Sequence, residues 1–174
     1  MTPARRRRSV TDTDHEPVDR LLEDWRKVRP DLDFAPMGLF ARSNRVVALG
    51  LRRLEAALTD HGISIGEFDV LSALRRADEP FTLKPSDLAD RLMVTRAGIT
   101  GRVDRLEAAG LVTRRRDPDD RRSEPIVLTV AGRRTADAAL VSVLAAEADV
   151  FHVLTSVERT TLDRLLRRLV GTAK

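Results

Sequence analysis

The chain has 174 residues, 42% apolar and 33% charged, with a net charge of +4. That composition suits one globular domain with a real core, and 3% aromatics with no tyrosine argue against an all-β sandwich. The absence of cysteine excludes a disulfide framework, a thiolate metal site and a cysteine nucleophile. No apolar run is long enough to span a membrane and none follows the charged start as in a secretory signal, so a cytoplasmic protein is expected.

Residues 1–15 hold the arginine tetrad Arg5 to Arg8 and no periodic apolar residues. They read as a disordered basic tail, either solvated or resting on DNA backbone. Pro17 opens a short helix to about Arg29, with Leu21, Leu22, Trp25 and Val28 on one face, and Pro30 stops it. A long helix follows from about Met37 to Asp60, closed by Gly62. Ser64 and Glu67 make a capping box for a helix through Ala77, with Phe68, Leu71 and Leu74 inward. The stretch DEPFTL, 78–83, reads as an irregular or short extended link. Pro85 starts a small helix carrying Leu88 and Leu92, Val94 is the turn, and Thr95 caps a helix from Arg96 to Ala109. Two helices joined so tightly are a helix-turn-helix.

Strands Leu111–Arg116 and Pro125–Thr129 form a basic hairpin directly after that second helix. Thr129 caps a long helix to about Leu154, and Thr155 with Glu158 boxes a last helix. There Leu162, Leu165, Leu166, Leu169 and Val170 make one apolar stripe. The long terminal helices need a partner for their stripes. A twofold dimer supplies one and sets two reading helices about one DNA turn apart; packing within their own domain is the alternative. The expected class is mainly α with a small β-wing: a winged helix-turn-helix, dimeric through its N- and C-terminal helices.

Charge is concentrated where this geometry reads DNA. Residues 91–122 hold nine arginines and five acids, a surplus that equals the net charge of the whole chain. At ~100° per residue, Ile99, Val103 and Leu106 face the core while Ala97, Thr100 and Gly101 face away. Thr95, Arg96 and Thr100 lie where major-groove contacts concentrate, and Arg96 can pair with a guanine. Arg105 suits phosphate, and Lys84 and Ser86 suit backbone contact at a helix start. Arg121 and Arg122 sit at the wing tip, braced by Asp119 and Asp120, in reach of the minor groove. Arg102 lies only ~60° from Ile99 and so leans toward the protein, which calls for an internal partner.

The run LKPSDLADRLMVTRAGITGRVDRLEAAGLVTRRRDPDDRRSEPIVLT, the preceding FDVLSAL and the following Gly132 resemble the MarR family of bacterial regulators. The resemblance implies a homodimeric regulator of double-stranded DNA, released from its operator by a small ligand, and a single MarR-type domain overall. Within it, 16–62 is an extra helix plus the first dimerisation helix, 63–129 the DNA-binding region and 130–174 the C-terminal dimerisation helices. The extra helix with DWRKVRPDLDFAPM is similar to the urate-responsive, PecS/MftR/HucR-like branch. That likeness implies a ligand site at Trp25, Asp69, Arg102 and Arg114, with a urate-like anion as effector and no cofactor. The ring stacks on Trp25, the arginines take the anionic edge, and Asp69 accepts ring N–H groups or holds Arg102 when the site is empty. Each member has another reading: Trp25 as a core anchor, Asp69 as a surface acid, Arg114 on phosphate, Arg102 as a snorkelling side chain with a structural carboxylate. The recognition-helix start VTRAGIT lacks the serine-rich look of the branch. Related branches answer phenolic acids or aconitate-type carboxylates.

An enzyme is not expected. His15, His61 and His152 are scattered without metal-ligand spacing, and neither a phosphate-binding glycine loop nor a serine elbow is present. A helical dimer that binds only protein is the rival from another class.

Overall fold

The computed structural model describes residues 17–115 and 124–171. They divide into two compact units inside one long helix, between Ala48 and Leu49.

In the first unit, Pro17 begins α1 (Pro17–Val28). Asp33 accepts the Ala35 amide at 2.9 Å to open α2 (Ala35–Thr59). Val18, Leu22 and Phe34 form a small buried cluster with Ala41 against it. Gly38 allows the close approach: a Cβ there would stand 2.9 Å from Leu22 Cδ1.

The second unit takes the C-terminal half of α2 because Leu58, with Leu54 beside it, packs into its core. Gly62 turns the chain at φ 67°, in the left-handed region that glycine enters without penalty. The expected box then opens α3 (Ile65–Arg75): Ser64 Oγ accepts the Glu67 amide at 3.3 Å and Glu67 Oε2 accepts the Ser64 amide at 2.8 Å. α3 is the central post, with Val70, Leu71, Ala73 and Leu74 fully buried against α4, α5 and α6.

The helix-turn-helix is α4 (Pro85–Leu92) and α5 (Arg96–Ala108). Ile99, Val103 and Leu106 are each 1% exposed, so the reading helix is held by about 1.5–3 kcal/mol of burial per side chain. The wing is β2 (Val112–Arg114) and β3 (Ile126–Leu128), antiparallel with Thr113 opposite Val127. Both are shorter than expected.

The 78–83 link contributes more than expected. Thr82 and Leu83 form β1, antiparallel to β3, giving a three-stranded sheet in the order β1-β3-β2. β3 is buried along its whole length between its neighbours, which an alternation pattern in three residues cannot reveal.

Thr129 caps α6 (Val130–Val150) through the Gly132 amide at 2.9 Å. That helix stops short of the expected Leu154. The His152 Nδ1–H donates to the Asp149 carbonyl at 2.7 Å, occupying an acceptor that a continuing helix would need. The Thr155–Glu158 box starts the last helix, α7 (Ser156–Gly171), none of whose residues is buried. Among the described residues no helix is long and apolar enough to cross a membrane, and no three metal-ligating side chains cluster.

Candidate nucleic-acid interface

α4 ends when Met93 enters the left-handed region at φ 52°, its amide reaching the carbonyls of Ala89 and Asp90. Thr95 then starts α5 by accepting the Gly98 amide at 3.2 Å, which leaves its hydroxyl proton for an external acceptor. Thr100 differs: its hydroxyl donates to the Arg96 carbonyl at 3.1 Å, so only its lone pairs face outward. Arg96 is exposed. Lys84 is the exposed residue before Pro85, and Ser86 donates to Asp87 Oδ1 at 3.2 Å. Arg121, Arg122 and the tail arginines lie outside the described residues.

Arg102 does lean inward. It is half-buried, its Nη1 donates to the Gly66 carbonyl at 3.4 Å, and a Cβ on Gly66 would sit 2.7 Å from its Nε. Asp69, one helical turn on, is also half-buried. Burial pushes its carboxyl above the usual aspartate range, against the pull of first Arg102 and then Arg76. The two residues therefore share one electrostatic neighbourhood without a direct ion pair.

Arg105 is not an unattached phosphate ligand. Its Nε donates to Glu67 Oε1 at 2.5 Å while its side chain stays 63% exposed. Burial pushes the Glu67 carboxyl up, but the Ser64 amide, Arg105 and the Ser64 hydroxyl outweigh this and hold it below its ordinary value.

Arg114 is gripped on the other side of the reading helix. It pairs with Asp104 at 2.5 Å and with Glu107, and Glu107 Oε1 also accepts the Arg114 amide at 2.9 Å. On a wheel of ~100° per residue, Arg102 and Arg105 lie on one flank of the Ile99–Val103–Leu106 face and Asp104 and Glu107 on the other. Thus Asp69 and Arg102 come together, whereas Arg114 is held apart from Arg102 by the width of α5. Beside Arg114 is an open cavity of about 450 Å³, with Pro85, Thr100, Val103, Glu124 and Ile126 also in its wall. Trp25, in the first unit, stacks on Phe34 with ring centroids 6.1 Å apart and remains 42% exposed.

Glu67, Asp104 and Glu107 were not expected as parts of this surface. Glu67 is fully accounted for locally by the capping box, which hides its second partner. The only hint of the other two is a pair of acids, i and i+3, on an otherwise basic helix.

A helix-turn-helix followed at once by an antiparallel wing is the architecture of a winged helix-turn-helix DNA-binding protein. The MarR family profile matches residues 61–123. The regulator PecS of Dickeya dadantii is 35% identical over 152 residues, 87% of this chain and 92% of that protein. The structure of AbsC, a MarR family regulator from Streptomyces coelicolor, superposes with a TM-score of 0.71 at 25% identity, covering 81% of this chain and 95% of that one. CouR of Rhodococcus jostii, solved bound to p-coumaroyl-CoA, gives 0.61 at 27% identity over 78% and 91%. The chain belongs to the MarR family of transcriptional regulators. Its relatives are regulators, not enzymes.

Proposed function

We propose that this protein is a homodimeric repressor whose hold on a pseudopalindromic DNA operator is released by a urate-like anion. The observation that carries the reading is the seat of Arg102. A cation on the reading helix lies across Gly66 in the first turn of α3, beside an aspartate whose charge is already disfavoured by burial. An anion entering there pulls on Arg102 and raises the cost of the Asp69 charge, so it shifts α5 against α3. Arg114 meets the effector only by leaving Asp104 and Glu107. DNA contact falls to Arg96, Thr95, Thr100 and Arg105 on the helix, Lys84 and Ser86 at its neighbour, and Arg121 and Arg122 in the sequence between the two wing strands. The dimer is supported by the unburied apolar residues of α7, Leu165, Leu166, Leu169 and Val170, and of α6, Leu140, Val141 and Leu144.

The cavity beside Arg114 favours a second reading, in which the effector is another aromatic ligand or a carboxylate. CouR's p-coumaroyl-CoA shows that a relative of this family holds an aromatic acyl ligand. A gel shift on the DNA upstream of the protein's own gene, titrated with urate, xanthine, salicylate and citrate, separates the readings. Release by urate at the lowest concentration supports the first and release by salicylate the second. No shifted band at low salt removes DNA binding altogether.

A further inference from the structure

Among the described residues Glu67 is the one charged side chain that is buried, at 8% exposure. Its cap does not require a charge. Glutamine serves a capping box as well as glutamate does, and a buried carboxylate is costly unless it is paired. The two oxygens do separate work: Oε2 accepts the Ser64 amide, and Oε1 accepts the Nε–H of Arg105, 38 residues away on the reading helix.

What remains of Arg105 is its Nη edge. That edge lies over the outward face of α5, because a Cβ placed on Gly101 would stand 3.8 Å from Nη1. Gly101 offers no side chain to block it. The guanidinium is thus pinned on its inner side by a carboxylate fixed in a helix cap and open on the side where a DNA strand passes the reading helix. An arginine already fixed in its bound geometry loses little rotamer freedom on meeting a phosphate. The two Nη groups fit phosphate oxygens side by side.

We propose that Glu67 is a positioning residue for DNA binding, holding Arg105 so that its Nη edge is presented to a phosphate beside the recognition helix. The proposal rests on the reading that α5 enters the major groove. It adds a residue that never touches DNA, and it places that residue in the same α3 turn that seats Arg102. A shift of this turn therefore disturbs both arginines together.

The test uses the full-length protein and a duplex that the wild type selects from a random pool, with affinity measured across a salt series. Arg105→Ala should flatten the slope of log affinity against log salt by about 0.9, the loss of one phosphate contact. Glu67→Gln keeps an oxygen for the Ser64 amide but loses the anion. It should weaken binding about threefold to tenfold, and should flatten the slope in the same direction. The double variant should bind no worse than Arg105→Ala alone. Arg105→Lys keeps the charge but cannot bridge carboxylate and phosphate through one planar group, and should weaken binding like Glu67→Gln without disturbing the cap.

Three results overturn the proposal: losses that multiply in the double variant, tighter and more salt-sensitive binding by Glu67→Gln, or Arg105→Lys equal to wild type. If the wild type selects no duplex, the DNA-binding reading itself falls.

Discussion

Gly66→Ala probes the effector site without touching a ligand residue. The new methyl group would stand 2.7 Å from Arg102 Nε and 2.8 Å from Cζ, about 0.7 Å inside ordinary contact, so the guanidinium must leave its seat. The obstacle is the end of a flexible side chain, and the fold itself need not shift. Lost with the seat is one long hydrogen bond to the Gly66 carbonyl, about 0.5 kcal/mol. Gained is the helix preference of alanine over glycine, up to about 1 kcal/mol. The melting temperature should therefore stay within about 4 °C of wild type. The effector response should change far more. An anion deprived of one charge-assisted contact loses about 1.5–3 kcal/mol, so the urate concentration for half-release should rise at least about tenfold. Thermal denaturation and a urate titration of the protein–DNA complex measure the two effects. A variant of normal stability that releases DNA at the wild-type urate concentration refutes the idea that the seat of Arg102 governs release.

Asp69→Asn should raise stability near neutral pH and remove a component of the stability that falls as pH climbs. The native carboxyl is raised, so the folded state binds its proton more readily than the unfolded one, and stability falls as pH climbs from the unfolded pKa through the native value. Melting curves from pH 3.5 to 7.5 check this, and a wild-type pH slope retained in the variant excludes it. Gly132→Ala should cost about 3 kcal/mol or more in urea denaturation, because its Cβ would lie 1.9 Å from the Leu111 carbonyl oxygen, a backbone atom that cannot step aside. Met93→Gly should stabilise by about 1 kcal/mol by relieving a left-handed backbone at the helix end, as the same denaturation reads out. Arg122→Ala should weaken DNA binding modestly and alike across sequences at matched salt.

Much of the architecture was legible because its determinants are local. The Ser64–Glu67 and Thr155–Glu158 boxes and the Thr95 and Thr129 caps link residues three apart, and each starts its helix where the sequence places it. The inward face of α5 follows from spacing alone, and with it the inward lean of Arg102. A short extended stretch was among the readings of 78–83, but its pairing as a third strand was not legible. Thr82 and Leu83 are too few to show a period, and their pairing depends on β3, more than forty positions later.

The sequence by itself determined which way each side chain leaves its helix, since backbone geometry repeats every few residues whatever surrounds it. Only the packed structure decided what those side chains meet. Arg105 faces Glu67 across 38 residues and Arg102 faces Gly66 across 36, because α3 lies along one flank of α5. Arg114 faces Asp104 and Glu107 because the wing returns along the other flank. Charges attract without a preferred register, so their partners are chosen by the apolar faces that bring the elements together.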